Sequence, residues 1–380
     1  MDKHIALIGS TGSIGTQALE VIKAHPGRFQ VTALTAGSNI DLMEEQINEF
    51  KPKIAVMATK ELAERLQARV SVHTKILYGA AGIEAAVSEE MTDTVLNALV
   101  GSRGLIPTCL AIENGKNIAL ANKESLVSGG ALVMRLIKEH GVTLIPVDSE
   151  HSAVFQCLNG EDERQIQKIV LTASGGPFLN WDRESIRKSD VNDALKHPNW
   201  TMGQKITVDS ATMMNKGLEI IEAAWLFDIT PEQIEVVVHP QSIIHSMVEF
   251  CDTSVIAQLG LPDMKVPIQY ALTYPDRISN HLESLSLEKI GQLTFQPPDQ
   301  VRFPCLRLAK EALKIGKTMP CVLNAANDIL VERYLNRKIS FYELSEQIED
   351  VMQKHQPVEY KSLQDLLEVE NWVKSTLRFS

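Results

Sequence analysis

Two short segments concentrate residue types that a fold alone has little use for: Asp148-Ser149-Glu150, and the run from Asp209 and Ser210 through Asn215 and Lys216 to Glu219. Together they supply several carboxylates, two small hydroxyls, an amide and an ammonium. On an extended segment Asp148 and Glu150, two apart, leave the same face. In a helix Asn215, Lys216 and Glu219 share a face. Three carboxylates brought together suit a hard divalent cation such as Mg²⁺ or Mn²⁺, which prefers oxygen ligands. The Ser, Asn and Lys groups beside them suit a phosphate. Taken one at a time, the carboxylates read more readily as a strand end and a solvated helix residue, so the chemistry depends on their being brought together.

The elements that must position these groups follow a pattern that changes near residue 150. Before it, apolar runs at His4 to Ile8, Phe29 to Leu34, Ile54 to Met57, Val95 to Val100, Ile118 to Ala121 and Leu144 to Val147 alternate with amphipathic stretches. Strands alternating with helices predict a mostly parallel sheet covered on both faces. Ligands of such sheets bind at the carboxyl ends of the strands, where Asp148 stands. After residue 150, Ile166 to Leu171, Gln233 to His239, and the pair Ser242 to Phe250 and Ser254 to Leu259 read as a second sheet. The last two form a hairpin across Cys251-Asp252-Thr253. Ser174 to Gln204 carries little regular signal and is expected to be a functional, mobile loop. Thr273 to Pro304 reads as a surface linker, and four helical patterns from Cys305 onward as a small bundle.

The 380 residues are too many for one ordinary core, and 44% hydrophobic with 22% charged residues is the balance of a soluble globular protein. A formal charge of −11 argues against nonspecific nucleic-acid binding. No apolar run approaches a membrane span, and no signal peptide is expected ahead of the first strand. Five scattered cysteines read as reduced thiols in a cytoplasmic protein, none of them a convincing nucleophile.

Gly9-Ser10-Thr11-Gly12-Ser13-Ile14-Gly15 follows a strand and opens a helix, the context a dinucleotide fingerprint requires. Its glycines let the backbone approach a pyrophosphate at a helix N-terminus, where free N–H groups favour an anion. After the second strand, where an NAD site usually places a carboxylate, the chain reads Thr35-Ala36-Gly37-Ser38-Asn39. Small polar groups there tolerate a 2′-phosphate, so NADP is favoured over NAD.

The ordered blocks Gly9 to Gly15, Leu120 to Ser125, Pro146 to His151, Ser174 to Phe178, His197 to Trp200 and Val208 to Glu219, extended by His239 to Ser242 and Leu323 to Asn327, resemble the 1-deoxy-D-xylulose 5-phosphate reductoisomerase family over essentially the full length. That resemblance implies an enzyme of the non-mevalonate isoprenoid pathway, using NADPH and Mg²⁺ or Mn²⁺ to convert its sugar-phosphate substrate to 2-C-methyl-D-erythritol 4-phosphate. It implies an α/β fold with a Rossmann-like NADPH domain at 1–149, an α+β catalytic domain at 150–274 with the loop at 175–204, a linker at 275–304 and a helical domain at 305–380. It also implies a homodimer.

Carried over residue by residue, the resemblance makes Asp148, Glu150 and Glu219 the metal ligands, and Ser174, Ser210, Asn215 and Lys216 the phosphate site. Lys123, Ser149, Glu150, His197 and Glu219 become further substrate contacts, with Glu150, Lys123 and His197 in catalytic roles and Glu150 a candidate general base. Thr11, Gly12, Ser13, Ile14, Gly37, Ser38, Asn39, Asn122, Glu124 and Gly203 become cofactor positions. Some members carry a basic residue at the end of the second strand, where this chain has Ser38. Asn324 and Asn327 read equally as caps or as site-lining residues; His239 and His245 read as structural, and Met213-Met214 as packing. A semialdehyde dehydrogenase would need a reactive cysteine, a homoserine-type enzyme would not need three carboxylates, and a nucleotide-sensing protein would need no metal ligands.

Overall fold

A computed structural model describes residues 3–71, 73–200 and 202–378. The chain divides into two compact units, one made of Met1–Ser125, Val133–Asp148 and Met264–His281, the other of Leu126–Leu132, Ser149–Asp263 and Leu282–Ser380.

In the first unit β1 (Lys3–Ile8), β2 (Phe29–Thr35), β3 (Ile54–Met57), β4 (Lys75–Tyr78), β5 (Thr94–Asn97), β6 (Asn117–Leu120) and β7 (Leu144–Pro146) form a parallel sheet in the order β4-β3-β2-β1-β5-β6-β7. Ile5, Ala6, Leu7 and Ile8 are all fully buried, because helices cover both faces of a parallel sheet and leave β1 no solvent side. The strand order reverses direction at β1, and the crevice beside β5 is the place where such sheets take ligands. The edge strand β4 was not apparent in the sequence: its Lys-Ile-Leu-Tyr run is only half-buried and carries no clear period.

Two expectations about the boundaries need correction. The Lys265–Thr273 helix belongs to the first unit, not to the catalytic domain. It is held to the Ser13–Ala24 helix region by Lys265–Glu20 (2.6 Å) and by His25 Nε2 against Gln269 Oε1 (2.9 Å), and it buries Ile268, Tyr270 and Leu272. The expected linker is likewise divided, its residues up to His281 in the first unit and those from Leu282 in the second, and it contains the short helix Leu287–Ile290.

The second unit is built on β8 (Ile166–Ala173), β9 (Ile234–Val238), β10 (Ile244–Phe250) and β11 (Val255–Leu259), in the order β11-β10-β8-β9. The expected hairpin is there as the antiparallel β10–β11 pair, while β8 and β9 run parallel. Strand β10 alternates buried and half-buried residues, the period-two signature of a sheet. The Met214–Leu226 helix packs on Cys305–Ile315 so closely that a Cβ at Gly217 would stand 2.5 Å from Ala309 Cβ. The C-terminal helices thus share one unit with the central sheet.

Here two local readings change. Residues 148–150 are not extended: a helix, Ser149–Cys157, begins directly behind β7, as a polar Asp-Ser pair after a strand favours. The 175–204 segment, in which Thr201 lies outside the described residues, contains the short helices Arg183–Arg187 and Val191–Ala194, N-capped by Asp182 and Asp190. Phe178 is buried edge-on against Trp181 and Phe341, Arg302 donates to the carbonyls of Leu179 (3.0 Å) and Trp181 (2.6 Å), and Tyr334 donates to that of Asp190 (3.2 Å). Its first two-thirds is therefore anchored on the C-terminal part of the unit.

Candidate active site

In the first unit the glycine turn is built by the backbone. Gly9, with φ of +94°, leaves β1 so close to the end of β5 that a Cβ would stand 2.9 Å from the Ala98 carbonyl oxygen. At Gly15 a Cβ would stand 2.2 Å from the Gly9 oxygen, so only glycine lets the helix start against the turn. Gly12 is the N-cap of Ser13–Ala24 and has no side chain to cap it. The turn at Thr11, Gly12, Ser13 and Ile14 therefore offers an anion a positive helix end, as a dinucleotide pyrophosphate requires.

The other expected cofactor positions of this unit differ in what they have left to offer. Gly37 and Ser38 are exposed behind β2, but the Asn39 side chain caps Ile40–Phe50, its Oδ1 accepting from Leu42 N at 3.1 Å. Asn122 is fully buried and donates to the carbonyls of Leu99 and Gly101, both at 2.9 Å, and to Glu124 Oε2 at 3.0 Å. It holds the β5–Gly104 turn in shape, and a Cβ at Gly104 would collide with it. Lys123 is buried and its Nζ is ion-paired with Asp148 Oδ2, directly after β7.

In the second unit the side chains build the site. Lys216 Nζ lies between two carboxylates, 2.8 Å from Glu150 Oε1 and in contact with Glu219 Oε2. Burial works to lower the lysine's pKa, but the Glu150 and Glu219 charges outweigh it and raise the value. The remaining oxygens are held too: Asn215 donates to Glu219 Oε1 at 2.5 Å and Ser149 to Glu150 Oε2 at 2.6 Å. Glu219 is fully buried, so its reading as a solvated residue is excluded. Glu150 and Glu219 each offer an oxygen within 4.8 Å of the other, an all-oxygen donor pair that already holds one cation. Behind it lies a pair that sequence reasoning missed: His151 and Glu222, both fully buried and 3.2 Å apart, with His151 Nε2 on the Glu219 carbonyl at 2.9 Å. Only the (i, i+3) spacing of Glu219 and Glu222 hinted at it.

Ser174 and His197 meet although 23 residues separate them, Ser174 Oγ lying 3.0 Å from His197 Nε2. The N–H groups of Asn199 (3.2 Å) and Trp200 (3.0 Å) both donate to His197 Nδ1. Nδ1 therefore carries no proton, and Nε2–H donates to Ser174. Desolvation holds His197 down at about 4, consistent with a neutral ring. Ser174 Oγ also accepts from Gly176 N at 3.2 Å, which turns its own hydroxyl proton outward as a donor. Ser210 is half-buried on the Gln204–Ala211 helix, which Gly203 N-caps through its backbone alone.

His239 is structural, its Nδ1 on the Thr294 carbonyl (2.9 Å) and its Nε2 accepting from Ile243 N (3.1 Å). Burial pushes the thiols of Cys109, Cys305 and Cys321 up to about 12 and that of Cys157 up to about 11, which removes them as nucleophiles near neutral pH.

Known proteins of one family share this arrangement of elements and motifs. The family model for 1-deoxy-D-xylulose 5-phosphate reductoisomerase matches residues 5–130, and two models for C-terminal domains of the same enzyme match 144–227 and 259–376. The 1-deoxy-D-xylulose 5-phosphate reductoisomerase of Geotalea daltonii is 52% identical over 371 residues, 97% of each chain. Reductoisomerase 1 of Bacillus thuringiensis subsp. konkukian is 52% identical over 374 residues, 98% of this chain and 97% of the relative. The solved structure of the Zymomonas mobilis enzyme in complex with NADPH superposes with a TM-score of 0.93 at 41% identity, covering 99% of this chain and 98% of that one. A DOX-P reductoisomerase in complex with NADPH, fosmidomycin and magnesium gives 0.94 at 41%, covering 98% and 97%.

Proposed function

This chain belongs to the 1-deoxy-D-xylulose 5-phosphate reductoisomerase family, and we propose that Asp148, Glu150 and Glu219 are its cation ligands and Ser174, Ser210, Asn215 and Lys216 its phosphate site. The reaction is the metal-dependent isomerisation and NADPH reduction of 1-deoxy-D-xylulose 5-phosphate to 2-C-methyl-D-erythritol 4-phosphate in non-mevalonate isoprenoid biosynthesis. The observation that carries the assignment is the buried Lys216 ammonium standing between Glu150 and Glu219, a cation in a nest of carboxylate oxygens. The chain itself delivers Asp148 two residues before Glu150.

A bound divalent ion supplies Lewis acidity to the substrate's carbonyl and hydroxyl oxygens, and bound NADPH supplies the hydride. The residues do the rest. Glu150, with one oxygen on Lys216 and the other on Ser149, is the candidate general base for a substrate hydroxyl. Lys216 would hold the phosphate as a point charge. Ser174, oriented by the His197 Nε2–H, and Ser210 give directional donors, so the non-reacting end anchors the reacting carbons. Lys123 balances the Asp148 charge. Thr11, Gly12, Ser13 and Ile14 receive the cofactor pyrophosphate, with Gly37, Ser38, Asn39, Asn122, Glu124 and Gly203 as further cofactor positions.

We also infer a homodimer in the cytoplasm. The edge strand β11 exposes Val255 and Ile256, an apolar edge that a second copy would cover, and all five cysteines are free thiols. Sedimentation equilibrium at about twice the 42.1 kDa chain mass, and recovery in the soluble cell fraction, are the expected readings.

The decisive assay follows NADPH oxidation with 1-deoxy-D-xylulose 5-phosphate, with chelator and then with Mg²⁺ or Mn²⁺ restored. Turnover is expected only with the ion present; turnover that ignores the chelator would remove the carboxylates from this role.

A further inference from the structure

Leu323-Asn324-Ala325-Ala326-Asn327 lies in the middle of the Met319–Leu335 helix, and the proposed chemistry gives it no task. Yet Asn324 and Asn327 are fully buried, among the most costly places for an amide. Asn327 Nδ2 donates to Asp209 Oδ1 at 2.8 Å. Asp209 is itself buried, on the last turn of the Gln204–Ala211 helix and directly before Ser210. Its other oxygen, Oδ2, takes the Lys205 ammonium at 2.9 Å, and Lys205 reaches Asp328 at 3.1 Å. Both oxygens of one buried carboxylate thus bind the two ends of a clamp, one end on the Met319–Leu335 helix and the other on the first turn of the helix carrying Ser210. Asn327 Oδ1 makes no hydrogen bond among the described residues, so a hydrophobic side chain there would relieve an unsatisfied acceptor. An amide at such a place calls for a reason beyond packing.

The opposite side of Ser210 supplies that reason. Gly176, at φ of +67°, lies so near that a Cβ would stand 2.6 Å from the Ser210 carbonyl oxygen. Gly176 N also donates to Ser174 Oγ. The turn that orients the Ser174 hydroxyl therefore rests on the main chain of Ser210, which directly follows Asp209.

We propose that Asn327 is a positioning residue for the phosphate end of the substrate: through Asp209 it fixes the last helical turn, so that Ser210 and Ser174 are held at one spacing. This rests on the reading of Ser174 and Ser210 as phosphate donors. Asn327 touches no substrate; it acts through Asp209.

The test uses the full-length protein with three variants, Asn327→Leu, the reciprocal pair Asp209→Asn with Asn327→Asp, and Ser210→Ala. Read for each are KM for the sugar phosphate, the inhibition constant of inorganic phosphate, kcat, the NADPH dissociation constant and the thermal midpoint. Loss of a hydrogen bond to a buried charge is expected to raise KM and the phosphate inhibition constant on the order of 10-fold in Asn327→Leu. The NADPH constant should stay at the native value and kcat within about 3-fold. The reciprocal pair, which restores amide against carboxylate with the roles exchanged, should recover most of the phosphate affinity, and it serves as the measurement if Asn327→Leu does not fold. If Ser210→Ala weakens phosphate but Asn327→Leu does not, the positioning role is overturned while the phosphate site stands. If Ser210→Ala leaves phosphate affinity untouched, the phosphate reading itself fails. If Asn327→Leu lowers the thermal midpoint and moves the NADPH and phosphate constants together, its role is structural only.

Discussion

The glycine turn of the first unit and the carboxylate–lysine cluster of the second are two ways of building a binding site. The turn is made of main chain: its ligand groups are N–H donors that every residue has, and what the sequence must specify is the absence of side chains at Gly9 and Gly15. The cluster is made of side chains from separate helices, Ser149–Cys157 and Met214–Leu226, and works only if both helices are in place. Adding atoms breaks the first kind of site. Removing charge breaks the second. The first is sensitive to volume at its glycines, and the second to the charge of its side chains.

The largest effect should come from the cluster. Glu219→Gln keeps the volume but leaves the buried Lys216 ammonium with Glu150 alone. Breaking a buried pair in this way costs about 3 kcal/mol of stability, at the low end because one partner remains. Divalent-cation binding, read by Mn²⁺ electron paramagnetic resonance, should be lost at concentrations that saturate the native protein, and turnover should fall at least about 10³-fold. NADPH affinity should be unaffected. A Glu219→Gln protein with native Mn²⁺ affinity would leave the carboxylates without a cation role.

Gly15→Ala is the converse change and the next in size. One methyl group 2.2 Å from the Gly9 oxygen forces the helix away from the turn, because the obstacle is backbone and cannot rotate aside. NADPH affinity should weaken by about 10- to 100-fold, or roughly 1.4–2.8 kcal/mol, with Mn²⁺ affinity native. Gly12→Ala, whose Cβ would stand 3.4 Å from the same oxygen, should weaken NADPH far less. Equal losses at Gly12 and Gly15, measured by fluorescence titration of NADPH, would mean that close backbone approach is not what the glycines provide.

The same difference explains what could be read in the sequence. A main-chain site is local: strand, glycines and helix follow one another, so Gly9 to Gly15 was legible as a unit, as was the parallel sheet from its continuous apolar runs. The face shared by Asn215, Lys216 and Glu219 was legible because a helix has a fixed period. Three features were not. The helix at Ser149 was hidden because its first residues follow a strand without an apolar period of their own. The union of Ser174 with His197 depends on a segment whose anchors, Arg302 and Phe341, lie more than a hundred residues further on. The Lys265–Thr273 helix has apolar residues on most of its faces, so its sequence does not say which sheet it covers.

His197 gives the smallest effect and the sharpest check on a side-chain site that uses backbone donors. Its pKa is held at about 4 by burial, below the ordinary histidine value, so the folded protein favours the neutral ring. Between pH 6.5 and about 4 the unfolded chain binds a proton that the folded chain refuses. The contribution to stability is therefore complete above pH 6.5 and is lost as the pH falls through about 4. Solvent screening of this half-buried ring keeps the effect to under about 1 kcal/mol. His197→Gln should remove that part of the pH slope in the unfolding midpoint. More directly, a ring resonance assigned to His197 should stay in its neutral position down to about pH 5. A proton arriving at Nδ1 must displace the N–H groups of Asn199 and Trp200, so Trp200 fluorescence should change over the same pH range as the ring. If the ring titrates near 6.5 with Trp200 silent, Nδ1 is not holding the backbone, and the tautomer that makes Ser174 an outward donor is not fixed.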